Sequence, residues 1–178
     1  MYKKLVMFMS LLFLLASCAA LDPIEVKEQK YGKSIPIISE SFASKQIKSG
    51  DTWKVYLKAH DPDGDMKNIV CVIDQAGKGI YPVSRIRIRE EDRKEFSGYI
   101  YLYTAGIQGL NYVPLTLTVQ IEDKAGHFTQ PVSFPLFINN ASIQERPPSG
   151  VFQEKELGPI LINLRPLGED GDKQDFDK

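Results

Sequence analysis

Apolar and polar side chains alternate with a period of two along much of the middle of the chain. Trp53, Val55, Leu57 and Ala59 alternate with Thr52, Lys54, Tyr56, Lys58 and His60. Leu115, Leu117, Val119 and Ile121 alternate with Pro114, Thr116, Thr118 and Gln120, and Val132, Phe134, Leu136 and Ile138 do the same with Ser133, Pro135 and Phe137. Successive side chains of an extended strand point to opposite faces, so each stretch predicts a half-buried strand. Residues 67–73, 83–89 and 96–103 read likewise, and 35–42 is a weaker first strand. Seven strands with turn residues between them, and no amphipathic helix, predict an all-β domain of two packed antiparallel sheets over residues 35–138.

The N-terminus has a different pattern. Lys3 and Lys4 precede an apolar run, Leu5 to Leu15, broken only by Ser10. Such a run, rising about 1.5 Å per residue, is too short to cross a hydrocarbon core of about 30 Å. It predicts the apolar region of a signal peptide. Leu15, Ala16, Ser17 and Cys18 then resemble a bacterial lipobox: a large aliphatic residue, two small ones that fit a narrow peptidase groove, and a cysteine whose thiol takes the lipid. The resemblance implies removal of residues 1–17, lipidation of Cys18 and stable membrane anchoring by several acyl chains. Ala19 resembles the residue that accompanies outer-membrane sorting in diderm bacteria, which implies a lipid-anchored cell-envelope protein. The alternative is an ordinary secretory signal cleaved after a small-x-small pattern.

Flanking segments complete the layout. Residues 18–34 are polar and charged and predict a tether. From residue 139 the chain carries "ERPPSG", a short apolar segment broken by prolines (Leu157–Leu167) and an acidic end, so 139–178 predicts a largely disordered tail.

With Lys3 and Lys4 removed, 20 cationic side chains face 23 carboxylates, a net charge of −3. That balance argues against nucleic acid as a partner. Of the two cysteines, Cys18 is assigned to lipid, so Cys71 has no disulfide partner in the chain and no cysteine-based zinc site is available. Cys71 shares the parity of Ile69 and Ile73 and reads as a buried small apolar residue.

Residues 53–65, "WKVYLKAHDPDGD", and 115–129, "LTLTVQIEDKAGHFT", resemble bacterial immunoglobulin-like, cadherin-like and fibronectin-III-like modules, which carry such turns after the second strand and between the last two. The resemblance spans about residues 35–138 and implies an immunoglobulin-like sandwich of about seven strands that binds, spaces or assembles. The paired inter-sheet cysteines of antibody domains are absent, and Tyr112 stands where a tyrosine corner belongs.

Two constellations are candidates for chemistry or binding, and neither is a catalytic constellation in itself. Asp61, Asp63 and Asp65 follow the second strand, and Glu122 and Asp123 follow the sixth. An immunoglobulin-like topology places both loops at one end, where Asp61, Asp63, Asp65 and Asp123 form a candidate calcium site of hard oxygen ligands. Met66 at the sixth loop position and Val72 at the twelfth exclude an EF-hand. Asp-Pro-Asp-Gly is equally a turn former. His60 and His127 flank the same loops and open the alternative of an enzyme, or enzyme accessory, with a metal-dependent Asp/His site.

The second constellation is a sheet face. Tyr99, Tyr101 and Tyr103 oppose the core parity of Phe96, Ile100 and Leu102, and Arg85 and Arg87 oppose that of Ile86 and Ile88. A hairpin at Glu90–Glu95 would put both rows on one face, a candidate surface for an envelope protein or glycan. A solvated strand face is the other reading. The sequence therefore predicts a membrane-anchored, non-catalytic immunoglobulin-like module with no cofactor beyond possible calcium.

Overall fold

The computed structural model describes residues 22–104 and 114–164. Cys18 and Tyr112, with the signal-peptide and lipidation expectations, lie outside the described residues. The described residues fold as an all-β sandwich of two mixed sheets, with a short helix ahead of it at residues 24–31.

In chain order the elements are α1 (Ile24–Tyr31), β1 (Ile37–Ala43), β2 (Gln46–Ile47), β3 (Thr52–His60), β4 (Met66–Gln75), β5 (Gly79–Ile80), β6 (Ser84–Arg87), β7 (Glu95–Tyr103), β8 (Pro114–Asp123), β9 (Val132–Ile138) and β10 (Glu156–Pro159). One sheet runs β1-β3-β7-β10. The other runs β2-β9-β8-β4, with β5 and β6 sharing the far edge of β4. All seven strands expected from periodicity are present. Two short pairings are parallel, β2 with β9 and β10 with β7, so the expected purely antiparallel sheets are in fact mixed.

The period-two pattern explains the core. Trp53, Val55, Leu57 and Ala59 of β3 and Phe96, Ile100 and Leu102 of β7 face Leu115, Leu117, Val119 and Ile121 of β8 across the sandwich, all buried. Cys71 is fully buried among them, and burial pushes its thiol up to about 12. Trp53 also donates its indole N–H to Ser44 O at 2.8 Å, so its polar atom is paired.

Two expectations are corrected here. Within the expected tether, residues 24–31 form α1. Within the expected tail, residues 139–164 are ordered and reach β7 as β10. The side chain of Gln144 first continues the β3 edge, accepting from Lys54 N and donating to Thr52 O, both at 3.2 Å. The strap then passes over the outer face of the smaller sheet. Tyr99 N donates to Lys155 O at 2.8 Å, and Ile160 N to Tyr101 O at 2.7 Å. Ile160 and Leu164 end in the core. Isolated apolar residues between prolines and glycines show no period, yet an open strand edge can order them through backbone bonds.

Candidate functional site

The loop end of the sandwich is built by strand register. β4 pairs with β8 so that Met66 lies opposite Asp123, which brings the turn before β4 against the turn after β8. The first turn is closed by Gly64 N donating to Asp61 O at 3.1 Å and Asp63 N to Asp61 Oδ1 at 3.0 Å. The second is closed by Gly126 N and His127 N, which donate to Asp123 Oδ1 at 2.6 and 2.8 Å. Lys124 N donates to Asp65 Oδ2 at 3.1 Å and stitches the two turns together. The turn-forming role read from Asp-Pro-Asp-Gly-Asp is therefore real.

Three of the four expected calcium ligands converge. One carboxylate oxygen from each of Asp61, Asp65 and Asp123 lies within 4.8 Å of the others. Asp61 and Asp123 are 1% exposed and Asp65 is 6% exposed. Burial pushes the Asp65 carboxyl up to about 7, with Asp61 and the charge of Asp123 acting in the same direction. Asp63 does not join them. It is exposed, and its Oδ2 accepts from Ser34 N at 2.7 Å. That bond holds its carboxyl below the usual carboxylate range.

The two histidines part company. His60 is exposed at the end of β3 and joins none of these contacts. His127 is held from both sides: Nδ1 lies 2.8 Å from Asp123 Oδ2 and Nε2 lies 3.1 Å from Glu28 Oε1. Both neighbours are carboxylates, so a ring protonated on both nitrogens donates to each, and the contacts favour the imidazolium form. Burial works against that charge, but the bonds to Glu28 and Asp123 prevail and the net shift is upward.

Glu28 belongs to α1 and was not singled out by sequence. The helix buries none of its residues, and its exposed Ile24 and Val26 make no apolar stripe, so no periodic signal marked it. It is held at the loop end by the Glu28–His127 pair and by Tyr31, whose ring lies 5.5 Å from Lys124 Nζ. At its end the chain turns through Gly32, which abuts the Asp63 carboxylate.

The tyrosine face is altered by the strap. Phe42, Tyr56, Tyr99 and Tyr101 form an aromatic ladder across the smaller sheet with centroid spacings of 5.6–6.4 Å. Phe152 packs tilted against Tyr56 with ring centroids 5.6 Å apart, and Glu154 accepts from Tyr56 Oη at 2.7 Å and from Lys54 Nζ at 2.8 Å. Tyr56, expected on the solvent side, is consequently buried, and burial together with the Glu154 bond raises its hydroxyl to about 12. Tyr99 and Tyr101 are half-buried, and Tyr103 remains 62% exposed.

The expected union of Tyr and Arg rows does not occur. Arg85 and Arg87 lie exposed on β6, which pairs with β4 in the other sheet. The chain from Arg89 to Lys94 crosses between sheets through a short 3-10 turn at Glu90–Asp92 instead of closing a hairpin. The cation over the tyrosines is Lys54, with Nζ 4.1 Å from the Tyr99 ring centroid.

No protein-family model matches the sequence, and no curated protein matches it. Among solved structures it is similar to the fibronectin(III)-like modules of Clostridium thermocellum CbhA, with a TM-score of 0.36 and 13% identity. That match covers 64% of this chain and 52% of the other, so the chain spans about half the length of that structure. It is also similar to a CARDB domain from Pyrococcus furiosus solved in complex with di-metal ions, with a TM-score of 0.29, 6% identity, and coverage of 60% and 87%. Among the described residues no helix is long and apolar enough to cross a membrane.

Proposed function

We propose that this chain is a lipid-anchored, non-catalytic immunoglobulin-like module displayed in the cell envelope, most consistent with the outer membrane of a diderm bacterium. The observation that carries the reading is Leu15-Ala16-Ser17-Cys18 placed only a few residues before an ordered domain. Five residues separate Cys18 from Ile24. At about 3.3–3.6 Å per extended residue they reach roughly 20 Å. Because α1 is docked on the turns at Asp61–Asp65 and Asp123–His127, the carboxylate end would face the membrane and the opposite end would face outward.

Two features favour a binding or spacing role over catalysis. Both nitrogens of His127 are engaged by carboxylates, and His60 stands apart, so the Asp/His end offers no free base beside a nucleophile. Cys71 is sealed in the core as a thiol. Tyr103 with the accessible flank of Tyr101 is the surface left for an envelope protein or glycan, since rigid amphipathic rings supply contact area at small entropic cost.

The test is metabolic labelling with an alkyne fatty acid, followed by membrane fractionation of wild type and Cys18→Ala. Label on the wild type alone, with Cys18→Ala unlabelled and released or stalled as precursor, is the expected result. Equal partitioning of both, with no mass added at Cys18, overturns the anchoring. Crosslinking of the anchored form then reports its partner.

A further inference from the structure

The buried carboxylates at the loop end are more numerous than turn formation requires. Asp61 Oδ1 and Asp123 Oδ1 close their turns, and Asp65 Oδ2 accepts from Lys124 N. Asp123 Oδ2 is matched by His127. Asp61 Oδ2 is different: it is buried and meets no donor among the described residues unless the neighbouring Asp65 carboxyl carries a proton. No ion pair to Asp61 or Asp65 exists there either. A buried carboxylate oxygen with no donor is unfavourable, so the arrangement calls for a proton shared between Asp61 and Asp65 or for a cation in its place.

We propose that Asp61, Asp65 and Asp123 form a calcium site between the two turns, with the Asp61 Oδ2 orphan as one of its ligands. Calcium–oxygen distances of about 2.3–2.6 Å allow two ligands of one ion to lie up to about 5 Å apart. The observed limit of 4.8 Å among the three donor atoms fits one shared ion. The donors are hard oxygens alone. Both nitrogens of His127 are turned to Asp123 and Glu28, which removes the imidazole ligand a transition metal prefers. Magnesium keeps several waters and a strict octahedron, which suits poorly a site whose carboxylates are 1–6% exposed.

Geometry also gives the ion a task. It would join the β3–β4 turn to the β8–β9 turn at the place where α1 docks through Glu28 and His127. A bound ion would stiffen the base of the module beneath its anchor.

The experiment uses the full chain in detergent, stripped with EDTA and titrated with calcium chloride by calorimetry, with melting followed by Trp53 fluorescence. The expected result is one ion per chain and a melting temperature raised by several degrees. Asp61→Asn and Asp65→Asn should each weaken calcium affinity at least tenfold. Without calcium they should melt at or above the wild-type temperature, because a like charge has been removed. Asp63→Asn should bind calcium within twofold of wild type. Two outcomes overturn the proposal: no heat and no melting shift with calcium, or an equal shift in Asp61→Asn and Asp65→Asn. An equal response to magnesium overturns the assignment to calcium. Lipid on Cys18 is scored separately by intact mass, so failure here is distinct from failure of the anchoring proposal.

Discussion

Glu28 and His127, 99 positions apart, meet at 3.1 Å and form the charged contact between the N-terminal helix and the sandwich. An eight-residue helix is too short to be stable alone in water, and α1 buries none of its residues. Its order therefore depends on contacts at the loop end. Glu28→Ala should speed proteolysis within residues 22–34 while lowering the domain's melting temperature by only a degree or two. Limited proteolysis with mass spectrometry checks this, and unchanged cleavage would show that the Tyr31 and Ser34 contacts suffice.

Gly32 is the hinge of that dock. Its φ of 113° lies in territory that residues with a side chain rarely adopt, and an added Cβ would collide with the Asp63 carboxylate. Gly32→Ala should cost about 1–3 kcal/mol or free the helix. Hydrogen exchange of residues 24–34 distinguishes the two, and a variant with wild-type stability and protection would contradict the close approach.

A second close approach holds the strap. A Cβ on Gly98 of β7 would meet the backbone carbonyl of Lys155 and press on Leu157. Gly98→Ala should displace residues 153–158 and expose Tyr56 and Tyr99, leaving the core cluster intact. Expected readouts are faster exchange at Tyr99 N and a Tyr56 hydroxyl that titrates nearer its ordinary value of 10.

Trp53 is 1% exposed near the start of β3, and its indole N–H is paired with Ser44 O. Trp53→Ala should destabilise the domain by about 3–5 kcal/mol, measured by urea unfolding. A loss below 1 kcal/mol would mean that the core is not organised around this residue.

Without divalent cations, stability should fall as pH rises from about 4 to above 7. Asp65, raised to about 7 in the folded state, holds a proton that the unfolded chain has already released, so the folded state loses that advantage as pH climbs. His127 acts in the same direction. Its raised pKa gives stability that is full below the unfolded value of 6.5 and is lost as pH rises through the folded one. Melting curves in EDTA at pH 5 and pH 8 check the sign. Higher stability at pH 8 would refute it.

The sequence by itself determined seven of the strands and the parity that each turns to the core, though not β2, β5 or β10. Alternation at Trp53–Ala59, Leu115–Ile121 and Phe134–Ile138 is a local consequence of backbone geometry, so burial of one parity follows from hydrophobicity alone. It also marked Asp61, Asp65 and Asp123, because turn residues are chosen by local dihedral demands. Only the tertiary structure decided which of the marked residues meet. Asp63 turned out to Ser34 instead of in to Asp65, and Arg85 and Arg87 went to the opposite sheet from Tyr99 and Tyr101. Glu28 and Glu154 acquired their roles through segments with no periodicity. Partners such as Glu28–His127 and Glu154–Tyr56 lie 99 and 98 residues apart. Nothing local to either residue specifies such a contact, and it forms only once the two sheets have placed strand edges and loop ends where those segments can satisfy their hydrogen bonds.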